Sequence, residues 1–467
     1  MQITMPSSYW SLLLILLLVL QLLLVLPLVI RPMIRYLVGQ QISDFMDRLL
    51  SDKYTQNLME VWPAGKRISV LNILEIGFRA QHGKIITRPL GSPKHFPGFD
   101  NLMFAPNIMG RLSLPENTPM NMQVTIGPKA DRPMVIKIPI MIGAMAYGIA
   151  LSEEAKRALA RAAKTLQTST CSGEGPFLPE ERQEAGNYTL QISRWAWGAR
   201  TQEQIEAADM LEVQMGQGAD MGTVSIEAKE FQGRAQELSG LAPDEPAIAF
   251  PAPPGVQKNG DWPGFMKQLR KQARGIPIAL KIMATGHLED DLAAAIRLGF
   301  DAVVIDGAQG GSHATTPIKQ DDFGIPSFYA LCRAVRFLQQ QGVREQMSLI
   351  AAGGYFTPGE CLKAIALGAD AIYMATVPLI ALTHDQVKKV IPWEPPTTLV
   401  FYDSPAKGKL NIDQAATSVV NIITSMVLEM EEGMRALGKS SLKELSPDDL
   451  VALDTLTAEV TGAKRIY

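Results

Sequence analysis

Metal-binding and redox side chains are scarce in this sequence, with three cysteines and five histidines among 467 residues. Cys171, Cys332 and Cys361 lie far apart and form no CxxC pair. That spacing excludes a disulfide framework and a cysteine-based zinc site, and it fits a reducing compartment. Buried or idle thiols are the simpler expectation. His82, His95, His287, His313 and His384 show neither an HExxH motif nor clustered spacing, which argues against a metal centre. Charge of one sign is also missing. Lys and Arg number 44 against 47 Asp and Glu, a net charge of -3, so no electrostatic footprint for nucleic acid exists. A dinucleotide fingerprint is lacking as well, because GQGADMG is a poor match to GxGxxG.

What the chain does have is one long apolar run. From Trp10 to Ile30 only Gln21 is polar, and about 20 apolar residues span a bilayer core as a helix. Tyr9 and Trp10 suit an aromatic belt at one end, and Arg31 and Arg35 flank the other. No Lys or Arg precedes the run, so the positive-inside rule places the rest of the chain on the cytoplasmic side. A basic start, a short apolar core and a small-residue cleavage site would mark a signal peptide, and none is visible. The expectation is a single-pass anchor in the cell membrane over residues 1–35. An amphipathic neck and a Pro/Gly-rich lead-in follow over 36–137.

Beyond that lead-in, short apolar runs alternate with amphipathic helical stretches. Strand candidates are PIMIGAMA (139–146), TSTCSG (168–173), DMLEVQMG (209–216), IALKIM (278–283), DAVVIDG (301–307), MSLIAAGG (347–354) and DAIYMAT (370–376). Helices such as EDDLAAAIRLG and PGECLKAIALG separate them and end in Gly, as helix C-termini do. Repeated strand–helix units imply a parallel sheet. The expected fold class is α/β, a (β/α)8 TIM barrel over residues 138–385, with a helical extension over 386–467. The Met-rich stripe of that extension is expected to be core or subunit contact.

In such a barrel the chemistry sits on the loops after the strands, with a phosphate site after strands seven and eight. Gly353 and Gly354 close one late strand, and Ala375 and Thr376 close the next. Glycine lets backbone N–H groups approach a phosphate, and a helix start adds partial positive charge. Two ordinary turns needing Gly for positive φ explain either motif alone, but the ordered pair favours a phosphate site. Lys281 lies inside IALKIM among apolar neighbours. A lysine facing a barrel interior needs a partner, either a ligand that becomes anionic or a buried carboxylate. Gly310 and Gly311 in DGAQGGSHATTP suit close contact with a flat ring or its substrate. His313, two residues further on, is the one histidine to test as an acid, against a surface or capping role.

Taken in order, these motifs resemble the synthase domain of glutamate synthase over about residues 85–385. PIMIGAMAYG is similar to the segment lying against the flavin ring. SGEGPFLPEER resembles the family's Gly-Glu-Gly loop, and MGQGADMG its AQGAKPG loop. With its membrane segment, the chain resembles a stand-alone, membrane-anchored branch. The resemblance implies FMN as cofactor, with Ala144, Met145 and Ala146 on the flavin face and Gln217 and Gly310 near the ring. It places Lys281 at the edge of the flavin that becomes negative on reduction, the phosphate on Gly353, Gly354, Ala375 and Thr376, and Glu174 on the substrate side. It implies reduction of an imino acid, 2-iminoglutarate or a related compound, to an amino acid. Nitrogen would come from solution or a partner, electrons from an unidentified donor, and a homo-oligomer is possible.

The match also has departures. LIALTHDQVKKVIPW lacks the family's cysteine cluster, so no iron–sulfur cluster is expected. The family's lysine before AQG aligns with Gln214, and the lysine of AKPG aligns with Asp220. Two charge-assisted bonds to a dicarboxylate, worth roughly 1.5–3 kcal/mol each, are thereby lost. Two other functions stay open: a flavin-containing scaffold or electron-transfer subunit, and an FMN-dependent oxidase of an amino or hydroxy acid. A His/Arg pair for the latter cannot be placed in the sequence.

Overall fold

The computed structural model describes residues 7–467, with side chains from Leu12 onward, and divides at Ile86 into two compact units. Tyr9 and Trp10, the expected aromatic anchors, have side chains outside the described set. In the first unit one helix runs from Ser7 to Ser51, through Pro27 and Pro32. Its stretch from Leu12 has a mean hydropathy of 3.2 over the most apolar window, and its leucines are exposed on every side. A helix this long and apolar can cross a membrane. It does not stop at Arg31 or Arg35 but continues through the first part of the expected neck.

The second unit, Thr87–Tyr467, is built on eight parallel strands. They are β1 (Ile140–Ile142), β2 (Ser169–Cys171), β3 (Asn187–Ile192), β4 (Met210–Gln214), β5 (Ile278–Met283), β6 (Ala302–Asp306), β7 (Ser348–Ala352) and β8 (Ala371–Met374). Hydrogen-bonded ladders join β2 through β8 in sequence, and β8 then pairs with β1. At the β1–β2 seam, Thr168 Oγ1 donates to Ile140 O at 2.6 Å, so the barrel is nearly closed. Every strand is buried along its length apart from the first residue of β3, as parallel strands covered by helices must be. The expected helix stops are present: Gly299 ends Leu288–Leu298 at φ 75°, and Gly368 follows Pro358–Ala366 at φ 109°.

Seven of the eight strands coincide with runs legible in the sequence. β3 does not, because its interior positions Thr189 and Gln191 are polar and interrupt any apolar run. The lead-in reaches both ends of the barrel. Its hairpin, Val124–Ile126 with Met134–Ile136, lies at the N-terminal ends of the strands, where Gly127 N donates to Ser348 Oγ at 3.0 Å. Its earlier part lies on the opposite end, with Leu90 N donating to Ser312 O at 3.0 Å. The last residues return to it: Leu102–Phe104 pairs antiparallel with Leu450–Ala452. In the C-terminal helix Ile412–Ala436, Met426, Met430 and Met434 are buried, so the methionine stripe is core.

Candidate active site

Two adjoining cavities open at the C-terminal ends of the strands, of about 290 and 60 Å³. Ala144, Gln217, Gly311, Ala375 and Thr376 line both. Met145, Ala146 and Glu174 line the larger one, while Lys281, Gly310, Gly353 and Gly354 line the smaller. All twelve residues singled out in the sequence therefore meet in one place. Within the described residues no group of three His, Cys, Asp or Glu side chains could hold a metal, and the three cysteines are buried. Burial pushes the Cys332 thiol up to about 12 and Cys171 and Cys361 higher still, so none is a ready nucleophile.

The loops around these cavities are held by close backbone contacts. Gly173 (φ 66°) and Gly175 flank Glu174, and a Cβ on Gly173 would meet the Met145 carbonyl carbon at 2.5 Å. The Gly-Glu-Gly loop is thus pressed onto the Met145–Tyr147 segment. Lys156 braces the same segment from behind. Its ammonium is fully buried, donates to Met145 O (2.6 Å), Cys171 O (2.8 Å) and Ser172 O (3.2 Å), and lies 2.9 Å from the Glu181 carboxylate. Gly310 and Gly311 line the cavities and also have a packing reason to be glycine. The space a side chain would need is taken by Gly218 and Asp306 at Gly310, and by Leu90 O, 2.7 Å away, at Gly311.

In β5, Lys281 is 3% exposed and donates to Gln217 Oε1 at 2.9 Å, with Asp306 Oδ2 at 3.6 Å. The buried carboxylate that sequence reasoning left as an alternative is therefore present, one strand away, while Lys281 still faces the cavity. Burial opposes its charge, but Asp306, Glu212 and other acidic neighbours outweigh that and raise its pKa. Burial raises Asp306 to about 6, against the pull of Lys281. Gln217 is aimed by a tight turn in which Gln217 and Asp220 exchange backbone hydrogen bonds, with Ala219 between them at φ 65°. A non-glycine residue there is strained and persists only where its surroundings enforce it.

Glu174 is half-buried, and burial first, then Asp220, raise its carboxyl to about 7. Gln214 Nε2 donates to Glu174 Oε2 at 3.4 Å, and Gln214 Oε1 accepts from Arg194 Nε at 3.4 Å. Arg194 and Trp195, which sequence reasoning missed, line the larger cavity and follow the missed strand β3 directly. An arginine within two residues of a buried strand end was the only available signal. Trp195 stacks on Trp197 with centroids 5.0 Å apart, and Trp197 Nε1 donates to Glu174 O at 2.7 Å. His313 lines the larger cavity too, its ring 4.2 Å from that of Phe401 and its Nε2 3.7 Å from Asp403. It is half-buried, and burial lowers its pKa against the pull of Asp403.

A nearly closed parallel barrel with polar and titratable groups gathered on its C-terminal strand ends defines a class, the (β/α)8 barrels. Comparison with known proteins places the chain more narrowly. Residues 99–440 match the conserved region in glutamate synthase, and the chain belongs to that family. It is 30% identical over 415 residues to a glutamate synthase large subunit-like protein of Rhizobium meliloti (strain 1021), covering 82% of this chain and 90% of that one. It is 26% identical over 397 residues to an archaeal-type glutamate synthase [NADPH] of Thermotoga sp. (strain RQ2), covering 80% and 78%. Among solved structures, a mutant of the active chimera of (S)-mandelate dehydrogenase is 16% identical, with a TM-score of 0.49 over 75% of this chain and 88% of that one.

Proposed function

We propose that the protein is a membrane-anchored, FMN-dependent oxidoreductase that reduces an imino acid, 2-iminoglutarate or a related compound, to an amino acid. The carrying observation is the convergence of Glu174, Lys281, Gln217 and the four phosphate-site candidates on adjoining cavities at the strand ends. The smaller cavity has the lining of a phosphate site and adjoins the larger one, into which a ring system would extend. Gly353 and Gly354 line it with backbone at φ 93° and 81°, and the helix Thr376–Thr383 begins on it. Positive φ explains these glycines by itself, so the phosphate role rests on their facing the cavity. FMN, when bound, supplies two-electron chemistry.

The chain's own residues divide the remaining work. Lys281 would stabilise negative charge at the ring edge, with Gln217 fixing its ammonium. Ala144, Met145 and Ala146, braced by Lys156, would pack against the ring and exclude water. Glu174, raised to about 7, can hold or release a proton near neutral pH, as proton transfer at a substrate nitrogen requires. The net change is two electrons and two protons added across a C=N bond, with electrons from an unidentified donor. No iron–sulfur cluster is part of this reading.

One observation favours a second reading: Arg194 and His313 share the larger cavity, the kind of pair that oxidation of a 2-hydroxy acid uses. Two measurements decide. The purified full chain in detergent micelles should show a flavin absorption band, and a colourless protein sinks both readings. Under anaerobic conditions, reduced protein should be reoxidised by an oxo acid plus ammonia. Bleaching of the oxidised protein by a 2-hydroxy acid alone, without reductant, would instead establish the second.

The anchor reading rests on the apolar helix Ser7–Ser51 and the arginines that follow its apolar run. The full chain should sediment with membranes, with the barrel on the cytoplasmic side. Deletion of residues 1–35 should move it to the soluble fraction; unchanged sedimentation would remove the anchor.

A further inference from the structure

We infer that the larger cavity selects a substrate with one carboxylate and an apolar side chain, an oxo or imino acid of the leucine type, with Arg194 holding the carboxylate. This rests on the oxidoreductase reading and narrows its substrate. Arg194 is 2% exposed and lines the cavity. Its described hydrogen bonds go to neutral oxygens, Gln214 Oε1 at 3.4 Å and Gly222 O at 2.8 Å. A guanidinium has five N–H donors, and Glu174, the acid whose carboxyl its charge pulls down, makes no described hydrogen bond to it. An anion in the cavity would balance it, and a carboxylate matches the fork of an arginine in both shape and charge.

The remainder of the substrate is set by the other walls of the cavity. Glu174 and Asp220 line it, so a nitrogen bearing N–H groups finds acceptors there. Gln214 stands between Arg194 and Glu174 and hydrogen-bonds both, which keeps the cation from being consumed by the acid beside it. The apolar wall includes Ile149, Val224, Ile226 and Phe401. Lys281, in the adjoining cavity, already has Asp306. A second carboxylate on the substrate would therefore meet no second arginine or lysine, since the other polar lining groups are Gln191, Gln217, Ser312, Thr376 and His313, whose charged form burial disfavours. Aliphatic side chains gain from that wall; dicarboxylates lose against it.

The test is calorimetric titration of the full chain in detergent micelles with 4-methyl-2-oxopentanoate and, separately, 2-oxoglutarate. The branched oxo acid should bind at least about tenfold tighter. Arg194→Gln should weaken it by roughly 10- to 100-fold, the range expected for one charge-assisted contact, and Arg194→Lys should recover part of the loss. Equal or tighter binding of 2-oxoglutarate overturns the inference, as does binding of neither acid. An Arg194→Gln protein that binds normally overturns it as well. The wild-type comparison needs no variant, so misfolding of Arg194→Gln leaves the question decidable. Flavin absorbance of the same sample keeps the two proposals apart. Colourless protein fails the oxidoreductase reading, whereas flavin-bearing protein that prefers 2-oxoglutarate fails this one alone.

Discussion

Lys156→Met is the most exacting test of how the site is held together. The ammonium is fully buried, with Glu181 at 2.9 Å and three carbonyls, those of Met145, Cys171 and Ser172, as acceptors. Methionine keeps much of the volume but removes the charge and every donor. Breaking a buried ion pair from one side costs about 3–5 kcal/mol when the remaining charge cannot adapt. Glu181 can adapt, because burial raises it to about 7 even with Lys156 beside it. Without Lys156 its carboxyl moves further up, and each additional unit is worth ~1.4 kcal/mol once the solution pH is above it.

The sign of the pH dependence comes from linkage. A carboxyl whose pKa is higher in the folded chain than in the unfolded one binds its proton preferentially in the folded state. Stability therefore falls as pH rises through the interval between the two values. In the wild type that interval ends near 7; in the variant it extends further. We expect a loss of about 2 kcal/mol at pH 6, where only the carbonyl contacts matter, growing by roughly another 1.4–3 kcal/mol at pH 9. Urea denaturation of the full chain in micelles, followed by tryptophan emission at both pH values, measures the gap. Lys156→Met/Glu181→Gln should abolish its growth with pH. A gap that stays constant from pH 6 to 9 would refute the argument. Flavin retention should fall in the single variant, because Met145 O loses its brace.

Other expectations are more direct. Lys281→Met leaves Asp306 buried without its cation and should destabilise by about 3–5 kcal/mol with loss of flavin. Adding Asp306→Asn should restore most of the stability but not the flavin, and a double variant no more stable than the single would discredit the pairing. Glu174, with its folded pKa raised to about 7, lowers stability progressively between the unfolded carboxyl value and neutrality. Glu174→Gln should therefore be relatively more stable at pH 8 than at pH 5, and should remove any activity limb near pH 7. Parallel pH profiles for the two proteins contradict this. Gly353→Ala puts a Cβ at φ 93° and 2.7 Å from Gly307 N, so about 1–3 kcal/mol and flavin retention should be lost. Gly359→Ala, in the helix Pro358–Ala366 with open space around it, should be neutral or stabilising by up to about 1 kcal/mol, and melting temperatures of the pair give the comparison.

Most of the strands legible from sequence alone are short runs dominated by apolar residues, even where a polar side chain such as Glu212, Gln214 or Lys281 lies within them. In β5 through β8 the strand is a short, largely apolar run closed by Gly or a helix cap, and such runs stand out. β3 is different. Thr189 and Gln191 face a polar interior, Gln191 Nε2 donating to Glu212 Oε1 at 2.6 Å, and that chemistry erases the apolar run. The loss propagates, since Arg194 and Trp195 are placed by the end of β3 and could not be assigned to the site without it. At Gly310 and Gly311 the limit is of another kind. The residue type was informative, but sequence could not tell a glycine that admits a ligand from one that admits Gly218 or Leu90.

Lys156 shows the deepest limit. It stands in LSEEAKRALARAAKTL off the polar stripe of Arg157, Arg161 and Lys164 and in line with Leu159, Ala160 and Ala163, so its buried side was legible but its partners were not. Only the tertiary fold brings its side chain to three carbonyls and a carboxylate. The departures at Gln214 and Asp220, by contrast, were visible in the sequence, where they appeared only as losses of cations. The structure gives Gln214 a position between Arg194 and Glu174, bridging by hydrogen bonds a cation and an acid that would otherwise pair directly. A lysine at position 214 would sit within reach of the Glu174 carboxylate and would place a second cation beside Arg194, the arrangement a dicarboxylate wants. The neutral amide removes that cation and leaves Arg194 as the one arginine or lysine lining the larger cavity among the described residues. The change that made the substrate uncertain in sequence is therefore the one on which the proposed single-carboxylate substrate rests.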